Sequence, residues 1–180
     1  MQSPTDTAAG AEDFRPDCTR CAALCCMALA FDAGDMFAID KPAGTPCPNL
    51  GADHRCTIHR DLTDKGFAGC VAFDCLGAGQ RVSQDIFGGQ SWQEAPALMG
   101  PTIEALRQMR QVQSLRQLLV TARVLPLTAA QEAVRCGLLA RLTPALGNAA
   151  ALGAVESGPL PREIDTFLHA LAPVAAGLRK

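Results

Sequence analysis

Eight cysteines crowd residues 17–75, and their spacing is where chemistry is most readily found in this chain. The order is Cys18-Thr-Arg-Cys21, then Cys25-Cys26, Cys47-Pro-Asn-Leu50, Cys56-Thr-Ile-His59, Gly69-Cys70 and Cys75. Thiolates are soft ligands: zinc takes four nitrogen or sulfur donors in a tetrahedron, and 4Fe–4S clusters take four thiolates. A continuous helix over 18–30, capped by Asp17, would aim Cys18, Cys21 and Cys25 into one sector and turn Cys26 about 100° away. The N-terminus of such a helix also favours the thiolate, the form that binds metal. The remaining four thiols come from turns and loops, which suits a ligand shell closed over fixed helical donors. Eight thiols suffice for two four-ligand sites, for one shared binuclear site, or for one site with spare thiols, and spacing alone does not choose. His54 and His59 flank Cys56 and could each take one position, although an ordinary surface role is the simpler reading for both.

Free cysteine is also among the most buried residue types and can serve as a small apolar side chain. That reading fits Cys136, which stands alone in a helical segment. It fits the other eight poorly, because they sit in one polar stretch rich in Gly and Pro. A disulfide framework is the weaker alternative, since no export signal accompanies the cysteines and a reducing compartment keeps thiols reduced. The segment has little regular apolar pattern, so metal binding energy would be folding energy there.

These motifs resemble a known family. The CxxCxxxCC element of Cys18, Cys21, Cys25 and Cys26, followed by C-P-x-L, C-x-I-H and G-C-x4-C, is similar to the YkgJ-type cysteine-cluster family, described as a zinc- or iron-chelating domain. Over about 18–94 the runs FAIDKPAGTPCPNL, RCTIH, GAGQ-x-VSQ and FGG look like the N-terminal domain of actinobacterial proteins named for pentapeptide repeats; no such repeats follow here. The resemblance implies a metal ligand set of Cys18, Cys21, Cys25, Cys26, Cys47, Cys56, Cys70 and Cys75. It implies zinc or an iron–sulfur cluster as cofactor, with 4Fe–4S the favoured cluster type. A similar cluster in flagellin lysine N-methylase gives an enzyme reading by analogy only.

The elements that must position these thiols divide the chain in three: a disordered tail over 1–16, a cysteine-cluster domain over 17–94 and a helical region over 95–180. Short helices are expected near 18–30 and 57–65, and 41–51 (KPAGTPCPNLG) reads as loop. Residues 76–94 read as a Gly-containing connector with room for a short strand, and Gly77-Ala78-Gly79 as a turn rather than a nucleotide loop. From about Pro96, apolar residues at Ile103, Leu106, Met109, Val112, Leu115, Leu118, Ala122 and Leu125 recur in steps of three and four, one face of a helix ended by Pro126. Thr128 caps a second helix over 129–142, and a third spans about 161–171. Trp92 and Phe87 are expected to anchor the two halves to each other. The fold class is thus mainly α, an irregular metal-nucleated cysteine domain packed on a small helical bundle.

Composition limits the rest. Of 180 residues, 48% are hydrophobic but only 4% aromatic, with no Tyr and one Trp, so the core is aliphatic. Net charge is −2, divided into an acidic first half and a basic second half whose charges are spread along helix faces. No nucleic-acid partner is expected, no stretch is long enough to span a membrane, and Met1–Pro16 lacks the features of a signal peptide, so a cytoplasmic location is expected. A protein partner or self-association through the C-terminal helices is allowed. The Asp residues of the first half read as caps, turns and solvent-facing charges, with no paired carboxylates for acid–base work. The leading function is a metal-binding protein with a structural or sensing centre. An iron–sulfur enzyme or electron carrier is the alternative, and a metallochaperone comes third.

Overall fold

The computed structural model describes residues 14–177. The tail expected over 1–16 therefore lies mostly outside the described residues. Its last three residues do not behave as a tail: Phe14 is buried under the Arg116 guanidinium, 5.5 Å from its ring centroid, and the Arg15 carbonyl accepts a hydrogen bond from the Gln80 amide.

The fold is mainly helical. Among the described residues there is no β-strand, only two isolated bridges, Phe31 with Lys41 and Leu50 with Cys56. The cysteine-bearing half contributes three short helices: α1 (Leu24–Ala28), α2 (Ala68–Ala72) and α3 (Ala78–Arg81), the last running on into a π turn at Val82–Ile86. The second half supplies α4 (Met99–Thr121), α5 (Ala129–Leu142), α6 (Ala149–Ser157), α7 (Leu160–Ala170) and α8 (Ala172–Gly177).

Helix α4 is the spine. Its buried residues include Ala105, Leu106, Met109, Val112 and Leu119, the spacing that puts one stripe against a core. It passes into a single 3-10 turn at Ala122–Val124 and stops at Leu125, which is extended because a residue before proline disfavours the helical region. Helix α5 begins with a capping box: Thr128 accepts from the Gln131 backbone while the Gln131 side chain accepts from the Thr128 N–H. Asn148 caps α6 with its side-chain oxygen accepting from the Ala151 N–H at 3.0 Å.

Three expectations are corrected. The helix expected over 18–30 is broken in two. A 3-10 turn at Cys18–Arg20, capped by Asp17, is followed by Cys21 and then Ala23 in the left-handed region (φ 55°), and only then by α1. The three thiols therefore do not share one helical sector. The helix expected near 57–65 is a single 3-10 turn at His59–Asp61 with further turns behind it. The connector at 76–94 holds no strand: Gly77, also left-handed (φ 75°), opens α3 directly after the Cys75 turn, so the glycine pair marks a helix start.

One apolar core runs through both halves. Leu24 and Met27 of α1, Ala78 of α3, Val82 just after it, and Trp92 pack with Leu106, Met109, Val112, Leu142, Leu152 and Ile164. Trp92 lies in this core, and its indole N–H donates to the Ala22 carbonyl at 2.7 Å. Because α1 turns Leu24, Met27 and Ala28 into this core, Cys25 and Cys26 are left on its other side. None of the described helices is long and apolar enough to cross a membrane.

Candidate functional site

The eight cysteines of the first half reach one region by two routes. The first lays residues 15–22 along α3 and the π turn that follows it. The Asp17 N–H donates to Gln80 Oε1 at 3.1 Å, Gln80 Nε2 to the Arg15 carbonyl at 2.8 Å, Gln84 Nε2 to the Arg20 carbonyl at 2.9 Å, and the Ala22 N–H to Ser83 Oγ at 2.9 Å. This holds Cys21 against α3, where its sulfur would lie only 2.7 Å from a β-carbon placed on Gly79 and that of Cys75 3.9 Å from the same point. Gly79 is thus the floor beneath two thiols, and no side chain fits there.

Cys75 is held from the other side by α4. Gln113 Nε2 donates to the Leu76 carbonyl at 2.9 Å, Arg110 donates to the Asp74 carbonyl at 3.4 Å, and the Arg110 guanidinium lies over the Phe73 ring at 4.7 Å. Leu76 itself is left-handed (φ 53°), with its N–H on Asp74 Oδ1 at 2.7 Å. That turn directs the chain from Cys75 into α3.

The second route folds loops onto α1. The Cys47 N–H donates to the Cys26 carbonyl at 3.0 Å. The Leu50–Cys56 bridge, closed by Gly51 N–H on the Arg55 carbonyl and Thr57 N–H on the Asn49 carbonyl (both 2.8 Å), carries Cys56 to the same place. Cys70 lies in α2, docked by the Gly69 N–H on the Met36 carbonyl at 3.0 Å. Gly69 is required there, because a β-carbon would sit 2.2 Å from the Phe37 ring. Phe37 in turn stacks on Phe31 at 4.2 Å, with Phe67 edge-on to Phe31 at 6.3 Å.

Lys41 locks this second group. It is buried (3% exposed), and its ammonium donates to the carbonyls of Met27, Pro42 and Thr45 at 3.4, 3.2 and 2.8 Å. It also stands 5.3 Å from the Phe31 ring centroid. Burial lowers its pKa, while negative charge on Cys47, Cys26, Cys25 or Cys70 would raise it. A cation set among thiols in this way compensates their charge on ionisation.

The two groups meet at Cys25. The Cys26 thiol beside it, followed by burial, pushes the Cys25 pKa far above the ordinary thiol range. Cys18 and Cys21 feel charge on Cys25 and Cys75, whereas Cys56 feels Cys47 and Cys25. Burial pushes the Cys21 thiol up to about 11, partly opposed by hydrogen bonds from the Leu24 N–H and from Ser83. Cys70 is raised by loss of water and then by Cys25, Cys47 and Cys56. Cys18 and Cys70 remain open to solvent.

All nine cysteines are free thiols. Cys136 stands apart in α5, beside Glu132 Oε1 at 3.5 Å and the Arg135 guanidinium at 3.6 Å. Among the described residues no three His, Cys, Asp or Glu side chains already stand as a ready metal site. His59 is exposed on its 3-10 turn. His54 is left-handed (φ 61°), and its Nδ1 is buried without a partner in a cleft it shares with Trp92, Gln93 and Met99.

Sequence reasoning missed the residues that hold the thiols in place: Lys41, Ser83, Gly79, Arg110 and Gln113. Lys41 carried no signal of its own, being one of seven basic residues in the first 94. Arg110 and Gln113 had none, because their role depends on how α4 crosses the Cys75 turn.

No family model matches the chain, and no solved structure matches it. A curated relative, described as the uncharacterized protein YybG of Bacillus subtilis (strain 168), is 43% identical over 100 residues. The match covers 56% of this chain and 36% of that protein, so the chain spans little more than a third of its relative.

Proposed function

We propose that this chain binds zinc or an iron–sulfur cluster through Cys18, Cys21, Cys25, Cys26, Cys47, Cys56, Cys70 and Cys75, in a structural or sensing role within a reducing compartment. The observation that carries this reading is the convergence on Cys25 of free thiols drawn from four separate segments, while the ninth cysteine is left elsewhere. Two further features favour it. Gly79 gives the Cys21 sulfur room that any other residue would fill, and a buried ammonium stands among the thiols of the second group.

The donor set fits thiophilic metals, and a bound metal would supply the crosslink between segments that share little apolar surface. Binding would draw the thiols inward from their present positions and release their protons. These are soft sulfur ligands, so hard cations are disfavoured.

Elemental analysis of protein purified without added metal tests the reading. Zinc or iron at one equivalent or more is expected; less than about half an equivalent, with every thiol free, removes it. Anaerobic purification separates the two cofactors and the alternative function, an iron–sulfur electron carrier or enzyme. A colourless protein lacking absorbance near about 400 nm excludes the cluster.

A further inference from the structure

Resting on that reading, we propose that the site is redox-regulated through one pair of thiols: hydrogen peroxide joins Cys21 to Cys75 as a disulfide, and the loss of these two donors releases the metal.

Distance singles out the pair. A β-carbon placed on Gly79 would lie 2.7 Å from the Cys21 sulfur and 3.9 Å from that of Cys75. The two sulfurs are therefore no farther apart than those two lengths together, and Gly79 puts no side chain between them. Staggered rotations about the two Cα–Cβ bonds act over this range. Both cysteines are only partly buried, so a small oxidant can reach them.

Their backbones are fixed without the metal. Beside Cys21, the Ala22 N–H donates to Ser83 Oγ and Gln84 Nε2 to the Arg20 carbonyl, both at 2.9 Å. The Cys75 carbonyl accepts from the Ala78 N–H, and the Leu76 carbonyl from Gln113 Nε2, again both at 2.9 Å. These ties keep the two thiols opposed across Gly79, which favours an intramolecular bond. Cys25 and Cys26 adjoin in sequence but are unsuited to each other. They are successive residues of α1, whose side chains diverge by about 100°, and joining them would break the helix that carries Leu24 and Met27 into the core.

The chemistry balances in two steps. One thiolate attacks an oxygen of hydrogen peroxide; the O–O bond breaks, a sulfenic acid forms, and the departing hydroxide takes a proton to become water. The second thiolate attacks that sulfur; the S–O bond breaks and a second water leaves in the same way. Two electrons pass from the sulfurs to the peroxide. The two protons come from the thiols, or from solvent where the metal already holds thiolates.

The zinc-loaded full chain, treated with a stoichiometric amount of hydrogen peroxide, tests this. Alkylation and peptide mapping follow the thiols while a chromogenic chelator records free zinc. The first crosslink should join Cys21 to Cys75 with a loss of about 2 Da per chain, and zinc should appear on the same time course. A first crosslink between other cysteines, or a Cys21 and Cys75 that both stay open to alkylation, overturns the proposal whether or not zinc leaves. Cys75→Ser should leave Cys21 outside any disulfide, and a Cys21 crosslink formed there as fast as in the wild type also overturns it. The wild-type mapping decides even if that variant fails to fold. The same treatment of the reduced, metal-free chain separates the two readings. The Cys21–Cys75 bond should form there too, so a chain that takes up no zinc yet makes this bond removes the metal reading alone.

Discussion

At the scale of single residues, the cysteines differ more than their shared chemistry implies. Cys21 lies pressed on Gly79, whereas Cys136 lies on a helix flank beside Glu132. Cys21→Ser should therefore lower the thermal midpoint of the metal-loaded protein sharply, while Cys136→Ser should change stability by no more than about 0.5 kcal/mol. Equal shifts in the two melts would make Cys136 part of the set. Protonation sets a second expectation. Burial holds the Cys21 thiol near 11 rather than 9.0, so at neutral pH it is a thiol and must lose its proton to bind. Lower pH opposes that loss, so metal affinity rises with pH; because the folded thiol ionises late, the rise should continue past about pH 9, where ordinary thiols flatten. Chelator competition across that range measures it, and a plateau by about pH 8 would contradict it. The thiols themselves were legible in the sequence because cysteine is rare and their spacing is dense. Lys41 was not singled out, since nothing in a linear reading shows that a loop lysine will reach three carbonyls. Lys41→Met should destabilise the protein by about 2–3 kcal/mol in urea, because it leaves those buried acceptors without a donor.

At the scale of elements, the second half was easier to read than the first. Helices α4, α5 and α7 were predicted within a few residues, because steps of three and four and a Thr128 cap carry their own signal. The first half defeated the same reasoning at Ala23. A Cys-rich stretch with good helix formers reads as continuous helix, yet Ala23 turns left-handed so that Ala22 can face both Ser83 and the Trp92 indole. Tertiary hydrogen bonds outweighed local propensity there. The strain is measurable: a left-handed alanine costs about 1–2 kcal/mol that glycine avoids, so Ala23→Gly should be neutral or stabilising by up to about 1 kcal/mol despite its greater freedom when unfolded. Loss of more than about 1 kcal/mol would show that the Ala23 methyl, itself buried, matters more than the backbone. The missed α3 has a similar origin. Gly77-Ala78-Gly79 looks like a turn, and Gly77 is one, but its left-handed φ serves to begin a helix on which two thiols can rest.

At the scale of the whole molecule, the cysteine half and the helical half share their interior. Leu24 and Met27 are fully buried in the same core as Met109, Leu142 and Ile164, and α4 grips the Cys75 turn through Gln113. That sharing was only partly legible: the sequence placed Trp92 and Phe87 between the halves but gave no view of how deeply α1 enters the bundle. Metal removal should accordingly weaken the entire chain. Chelation is expected to lower the midpoint of far-ultraviolet helicity and of thiol protection in one step; two well-separated transitions would mean that the bundle folds by itself. The tie from the Trp92 indole to the Ala22 carbonyl has an optical consequence. The chain contains a single tryptophan and no tyrosine, so its intrinsic emission comes from one ring lying beside the first thiol group. A coloured or paramagnetic ion seated there would quench that light and a colourless one would not. The protein thus has its own lamp for reporting what the cysteines hold, with no label attached.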